Sequence, residues 1–179
     1  MSQQRNQIEA MTRDLQDTLM LAKHHSKPII TAPHQMALGG GCEIALQSAA
    51  CQATGELYIG LVEVGVGLLP GAGGCKEAIW RTVGTIPDGV DIDVFPYVQK
   101  AFMQVGMGKV ATSAEEARAM GYLRSHEGVS MNRDHQIADA NALPLSLAGS
   151  GYRPAAPRTI GLPGATGRAA IESGLWGMV

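Results

Sequence analysis

The chain has 179 residues, of which 45% are hydrophobic and 17% charged, and its formal net charge is −2. That length and balance fit one globular domain with a real core, and they exclude a disordered chain. Aromatic content of 4% and the lack of a basic patch argue against nucleic acid as the main partner, and no apolar run reaches the length of a membrane span.

The first twenty residues mix Gln, Arg, Asp and Glu with no hydrophobic signal core, so a cytoplasmic location is expected. From Ile8 to Ala22 the apolar residues Ile8, Met11, Leu15, Leu19 and Ala22 recur at helical spacing, which predicts an amphipathic helix in need of a surface to pack against. Lys27-Pro28 ends it. Ile29 to Ala32 reads as a short buried strand that breaks at Pro33. After the triplet Gly39-Gly40-Gly41, residues Glu43 to Ala50 form a nearly uncharged and therefore largely buried helix. Short strands are expected at Cys51–Ala53 and Leu57–Ile59, around a turn at Thr54-Gly55-Glu56.

Beyond the turn Pro70-Gly-Ala-Gly-Gly74, a helix runs from Cys75 to about Val83, and Thr85 to Gly89 is a loop. Val94 to Val105 is helical despite Pro96. Ser113-Ala-Glu-Glu116 has the form of a capping box, opening a helix that stops near Gly121. Asn132 or Asp134 caps a further helix to about Leu143. The stretch Gly149–Gly167, rich in Pro and Gly, is an extended loop, and a last helix spans Ala169 to Met178. Cys42, Cys51 and Cys75 form no close pair, and no metal-ligand spacing occurs, so free thiols and no metal are expected.

Two carboxylates stand in apolar surroundings. Glu43 follows the glycine triplet, in the first turn of its helix. A helix start offers amide donors without internal partners and a dipole that favours negative charge. Glycines there allow close approach to the backbone, so Gly39-Gly40-Gly41 is a candidate oxyanion hole. Burial opposes ionisation of Glu43 and the helix end favours it. Glu63 lies in Leu61-Val-Glu-Val-Gly-Val66. Read as extended, this places Val62, Val64, Val66 and Leu68 in the core, and Glu63 on a face with Gly65 and Gly67. Each feature also has a structural reading: close packing for the glycines, backbone hydrogen bonds for the acids. Taken together they point to acid–base chemistry on a carbonyl compound.

Three stretches in this order, Lys27-Pro-Ile-Ile-Thr-Ala-Pro33, Ala37-Leu-Gly-Gly-Gly-Cys-Glu-Ile-Ala-Leu46 and Gly60-x-x-Glu-Val-x-x-Gly-Leu-x-Pro-Gly-Ala-Gly-Gly74, resemble the crotonase (enoyl-CoA hydratase/isomerase) superfamily. Cys75-Lys-Glu77 and Met131-Asn-Arg-Asp134 look like the hydratase portion of bacterial 3-hydroxyacyl-CoA dehydrogenase fusion proteins. The resemblance implies an α/β fold, the crotonase spiral of ββα units, incomplete at the N-terminus. The core motif region would be 27–84 and a helical C-terminal part 92–179, in one partial domain over 1–179. It further implies trimer-type homo-oligomers and a possible dehydrogenase domain as partner. The substrate would be an acyl-CoA thioester, with coenzyme A part of that substrate and no separate cofactor. Glu43 and Glu63 match the catalytic glutamates and Gly40 the thioester-binding amide, with Leu38, Gly39, Gly41 and Gly71 lining the substrate site.

His34-Gln35 stands where the family pattern has Asn-Gly, and no dinucleotide-binding glycine motif occurs, so NAD binding is not expected. The alternatives are a truncated, non-catalytic module, an isomerase needing one carboxylate, and a Cys42 nucleophile activated at the helix start. Lys76, Arg81 and Lys109 are candidates for the coenzyme A phosphates.

Overall fold

Proline and glycine cut the first half of the chain into short elements around one buried cluster. The structure is a computed structural model that describes residues 2–87, 89–156 and 159–177. Helix α1 (Ser2–Lys23) stops four residues before Lys27. Of its apolar stripe, Leu19 is buried, whereas Ile8, Met11 and Leu15 stay exposed.

Among the described residues six short strands follow: β1 (Ile30–Thr31), β2 (Met36–Leu38), β3 (Ala50–Thr54), β4 (Tyr58–Gly60), β5 (Val110–Ala111) and β6 (Gly128–Ser130). They form two three-stranded sheets, ordered β1-β3-β6 and β2-β4-β5. The first is parallel throughout, with Ile30 opposite Ala50 and Gln52 opposite Gly128. In the second, β2 runs parallel to β4, with Leu38 opposite Gly60, and β5 runs antiparallel to β4. Helix α2 (Gly40–Leu46) links β2 to β3, and α3 (Gly74–Val83) packs against α4 (Phe95–Gly106). Helices α5 (Ala114–Met120), α6 (Gln136–Gly149) and α7 (Gly164–Trp176) complete the fold. Leu46, Leu57, Ile59, Leu61, Tyr122 and Leu123 fill the centre of the core. No helix among the described residues is long and apolar enough to cross a membrane.

Strands β2, β5 and β6 depart from the sequence reading, and β5 and β6 make the C-terminal part less purely helical than expected. Strands of two or three residues are too short to show alternation, and they exist through their pairing. Helix α2 ends at Leu46 rather than Ala50, because Ala50 joins β3. The extended reading of Leu61–Leu68 is overturned. Glu63–Val66 is a single 3-10 turn, closed by Gly67 at φ +75°. Leu61 is fully buried instead, while Val66 and Leu68 are exposed. Helix α7 begins five residues before Ala169. Asp88 and residues 157–158 of the expected loops, and Met178 at the expected helix end, lie outside the described residues.

Candidate active site

The glycine triplet joins β2 to α2. Gly39 takes φ +55° and ψ −124°, a conformation that glycine adopts without penalty. Its N–H donates to the Gly60 carbonyl at 2.9 Å, which ties the ends of β2 and β4 together. The first hydrogen bond of α2 runs from the Glu43 N–H to the Gly39 carbonyl at 3.0 Å. The amides of Gly40, Gly41 and Cys42 precede it and have no acceptor within the helix. Gly40 is exposed, and a Cβ built there would meet no atom within 4 Å. Its N–H is one of these donors without a helical acceptor, while Gly39 is buried.

Glu43 is 3% exposed. Its Oε1 accepts the Gly74 N–H at 2.7 Å, from the first residue of α3. Burial pushes its carboxyl above the ordinary range; the Gly74 N–H pulls it back, and the neighbouring Glu63 charge pushes it up again. A Cβ on Gly74 would lie 2.9 Å from that oxygen and 2.7 Å from Leu61 Cδ2, so the contact requires glycine.

Glu63 reaches the same place from the 3-10 turn. Its Oε1 is 3.3 Å from where a Cβ on Gly39 would stand. Both of its carboxylate oxygens are buried without a hydrogen-bond partner among the described residues. A buried carboxylate left this way is costly, which is the mark of a site shaped for something besides folding. The two acids thus converge beside the start of α2, one held by an amide and the other unpartnered.

The remaining candidates separate. Leu38 is half-buried at the end of β2, next to Gly39. Gly71 lies against α1, where its carbonyl accepts from Gln16 Nε2 at 2.5 Å, and it touches neither carboxylate. Cys42 is fully buried, and burial drives its thiol far above the ordinary range, the reverse of what a nucleophile needs. Arg81 donates to the carbonyls of Tyr122 and Leu46, and Lys76 pairs with Glu77 and donates to Gln47 Oε1, so both have internal partners. Lys109 is exposed on the turn before β5. Gly74 and Cys75 were missed. Cys75, the second residue of α3, lies close enough to both acids that their charges, after burial itself, raise its thiol. The Gly73-Gly74 pair was the available signal, because two glycines at a helix start mark a close approach. A cleft of about 990 Å³ runs beside this region, lined by Thr31 to Ala37, Gly41, Ile44, Tyr58 and Thr112. Gly41 and Glu56 border it, and neither Glu43 nor Glu63 does.

The largely parallel sheets, the glycine-started helix and the second glycine turn define a crotonase-fold protein. An enoyl-CoA hydratase of Bacillus anthracis superposes with a TM-score of 0.58 at 22% identity, over 80% of this chain and 48% of that one. In sequence, the chain is 40% identical over 168 residues to a probable 3-hydroxyacyl-CoA dehydrogenase of Bacillus subtilis, covering 94% of this chain and 21% of the relative. It is 45% identical over 58 residues to a short-chain-enoyl-CoA hydratase of Clostridium acetobutylicum, covering 32% of this chain and 22% of that protein. The chain thus spans about a fifth of the length of these relatives and about half of the solved structure. No family model matches the chain.

Proposed function

We propose that the chain is a hydratase-type crotonase module acting on a trans-2-enoyl-CoA in fatty acid oxidation. The observation that carries this reading is the convergence of Glu43 and Glu63, the latter with both oxygens unpartnered, beside the start of α2. The two carboxylates hold one water between them. Glu43 assists its addition, so that the water oxygen bonds to C3 as the C2=C3 π bond breaks. The electron pair moves toward the thioester oxygen, where the Gly40 amide, a donor without an acceptor inside α2, stabilises it. The water keeps one proton as the C3 hydroxyl, its other proton passes through Glu63 to C2, and the product is the 3-hydroxyacyl thioester. Names of the relatives support the same substrate class and a dehydrogenase partner that would oxidise this product. Exposed Ile8, Met11 and Leu15 on α1 support association of copies.

A second reading has one observation in its favour. The solved relative is about twice the matched length, so the chain matches about half of that fold. On that reading it is a non-catalytic module of a larger multienzyme. Incubating the purified protein with a short trans-2-enoyl-CoA, and following loss of the conjugated thioester absorbance, separates the two. Turnover supports hydration; a folded protein without turnover supports the module.

A further inference from the structure

The Glu43 carboxylate is aimed by a loop, and the loop is held by a residue with no part in the chemistry above. We propose that Gln47 is a positioning residue for Glu43, clipping the Pro70–Gly74 turn to α2 so that the Gly74 N–H meets the carboxylate. The inference rests on Glu43 being the acid that acts on substrate.

Gln47 lies one helical turn after Glu43, at the C-terminal cap of α2, and is 1% exposed. Its Nε2 donates to the Ala72 carbonyl at 2.7 Å. Its Oε1 accepts from Lys76 Nζ at 3.3 Å, which fixes the orientation of the amide. The amide lies directly beneath Gly73. A Cβ there would stand 3.3 Å from Nε2 and 3.4 Å from Oε1, and Gly73 has φ +108°. From the other side, Gln16 of α1 holds the Gly71 carbonyl. Residues 71, 72 and 73 are therefore each fixed, and the next peptide N–H in the chain is the donor to Glu43. A backbone donor keeps its direction only as well as the loop bearing it. A shift of about 1 Å is enough to lose a catalytic geometry.

The test is Gln47→Met, which removes the donor at nearly constant volume. It is read by amide hydrogen exchange at Gly74 and by NMR titration of the Glu43 carboxyl in the purified chain. The titratable groups facing Glu43 are Glu63 on the 3-10 turn, Cys42 on α2 and Cys75 on α3, and the substitution leaves all three in place. Gly74 exchange should quicken at least tenfold, and Glu43 should titrate above its wild-type value, because a hydrogen bond to its charged form has gone. Gln47→His, whose ring N–H can donate across a similar gap, should restore both in part. A folded Gln47→Met protein with unchanged Gly74 protection and unchanged Glu43 titration overturns the proposal. If Gln47→Met does not fold, Gln47→Glu, which keeps the shape but has no N–H to give Ala72, takes its place: faster Gly74 exchange in the folded variant supports the proposal, and unchanged Gly74 protection overturns it. Neither readout needs substrate. Failure of hydration in the wild type therefore leaves this result standing, and turnover with an unmoved Glu43 rejects Gln47 alone.

Discussion

Gln35 has φ +50° and is the one non-glycine residue with positive φ among the described residues. It occupies the position where the resemblance calls for glycine after Asn. Its carbonyl accepts the Tyr58 N–H at 2.6 Å, so pairing of the turn with β4 holds the strain in place. Left-handed backbone costs a side-chain-bearing residue roughly 1–2 kcal/mol, offset in part by the greater chain entropy of glycine. Gln35→Gly should therefore raise the unfolding free energy by about 0.5–1 kcal/mol in denaturant titrations. Gly40 behaves in the opposite sense. A methyl group there meets no neighbour, so Gly40→Ala should change stability by less than about 1 kcal/mol. It would crowd the face that receives the thioester oxygen while keeping the N–H itself, and so lower kcat by up to about 100-fold, the lower end of what loss of an oxyanion donor costs. Glu43 couples the site to stability. Its folded carboxyl is raised, chiefly by burial, so the fold binds the proton more tightly than the unfolded chain does. Its stability contribution is full below the unfolded carboxylate value, near about 4.3, and is lost as pH rises through the raised folded value. Glu43→Gln should consequently be more stable than wild type at neutral pH, with the difference shrinking on acidification, as thermal unfolding across pH would record.

Among the elements, α3 is tied to α1 by a buried ion pair. Glu77, 2% exposed, accepts from Lys23 at the end of α1 at 2.5 Å and pairs with Lys76 at 3.2 Å. The Lys23 ammonium also lies 5.3 Å from the centre of the Trp80 ring. Burial lowers its pKa more than Glu77 raises it. Removing one member of such a pair strands the other charge, so Glu77→Leu should cost about 3–5 kcal/mol. Adding Lys23→Met should recover most of that in a double-mutant cycle. Other elements were plain in the residues. Ser113 caps α5 by accepting the Glu116 N–H at 3.1 Å, and Gly121 closes it in the left-handed conformation, as the Ser-x-x-Glu…Gly pattern predicts. The Glu116 carboxylate turns instead to the amide and hydroxyl of Thr112. The Glu63 segment was not legible in the same way. Its alternating valines imitate a strand, yet Gly65 and Gly67 permit a tight turn, and Gly108 packs beside Val62 and Val64 from far along the chain. Local pattern and tertiary context disagree there, and tertiary context prevails.

Across the whole molecule, the order of the glycine motifs made the crotonase fold readable, because each glycine answers to a backbone constraint that local sequence can show. Gly39 needs its positive φ, and Gly74 has no room for a side chain. The role of Gln47 was not readable, since its meaning depends on a turn twenty-five residues away. Nor was the lack of partners for the Glu63 oxygens among the described residues, which only three-dimensional packing reveals. The account stands on two acids from separate segments acting as one unit. Steady-state hydration of a short trans-2-enoyl-CoA by the wild type, Glu43→Gln and Glu63→Gln tests this most directly. Each variant should fold and lose at least about 100-fold in kcat, the lower end of what a positioned acid or base contributes. Wild-type turnover retained in either variant, or none from the folded wild type, would contradict it.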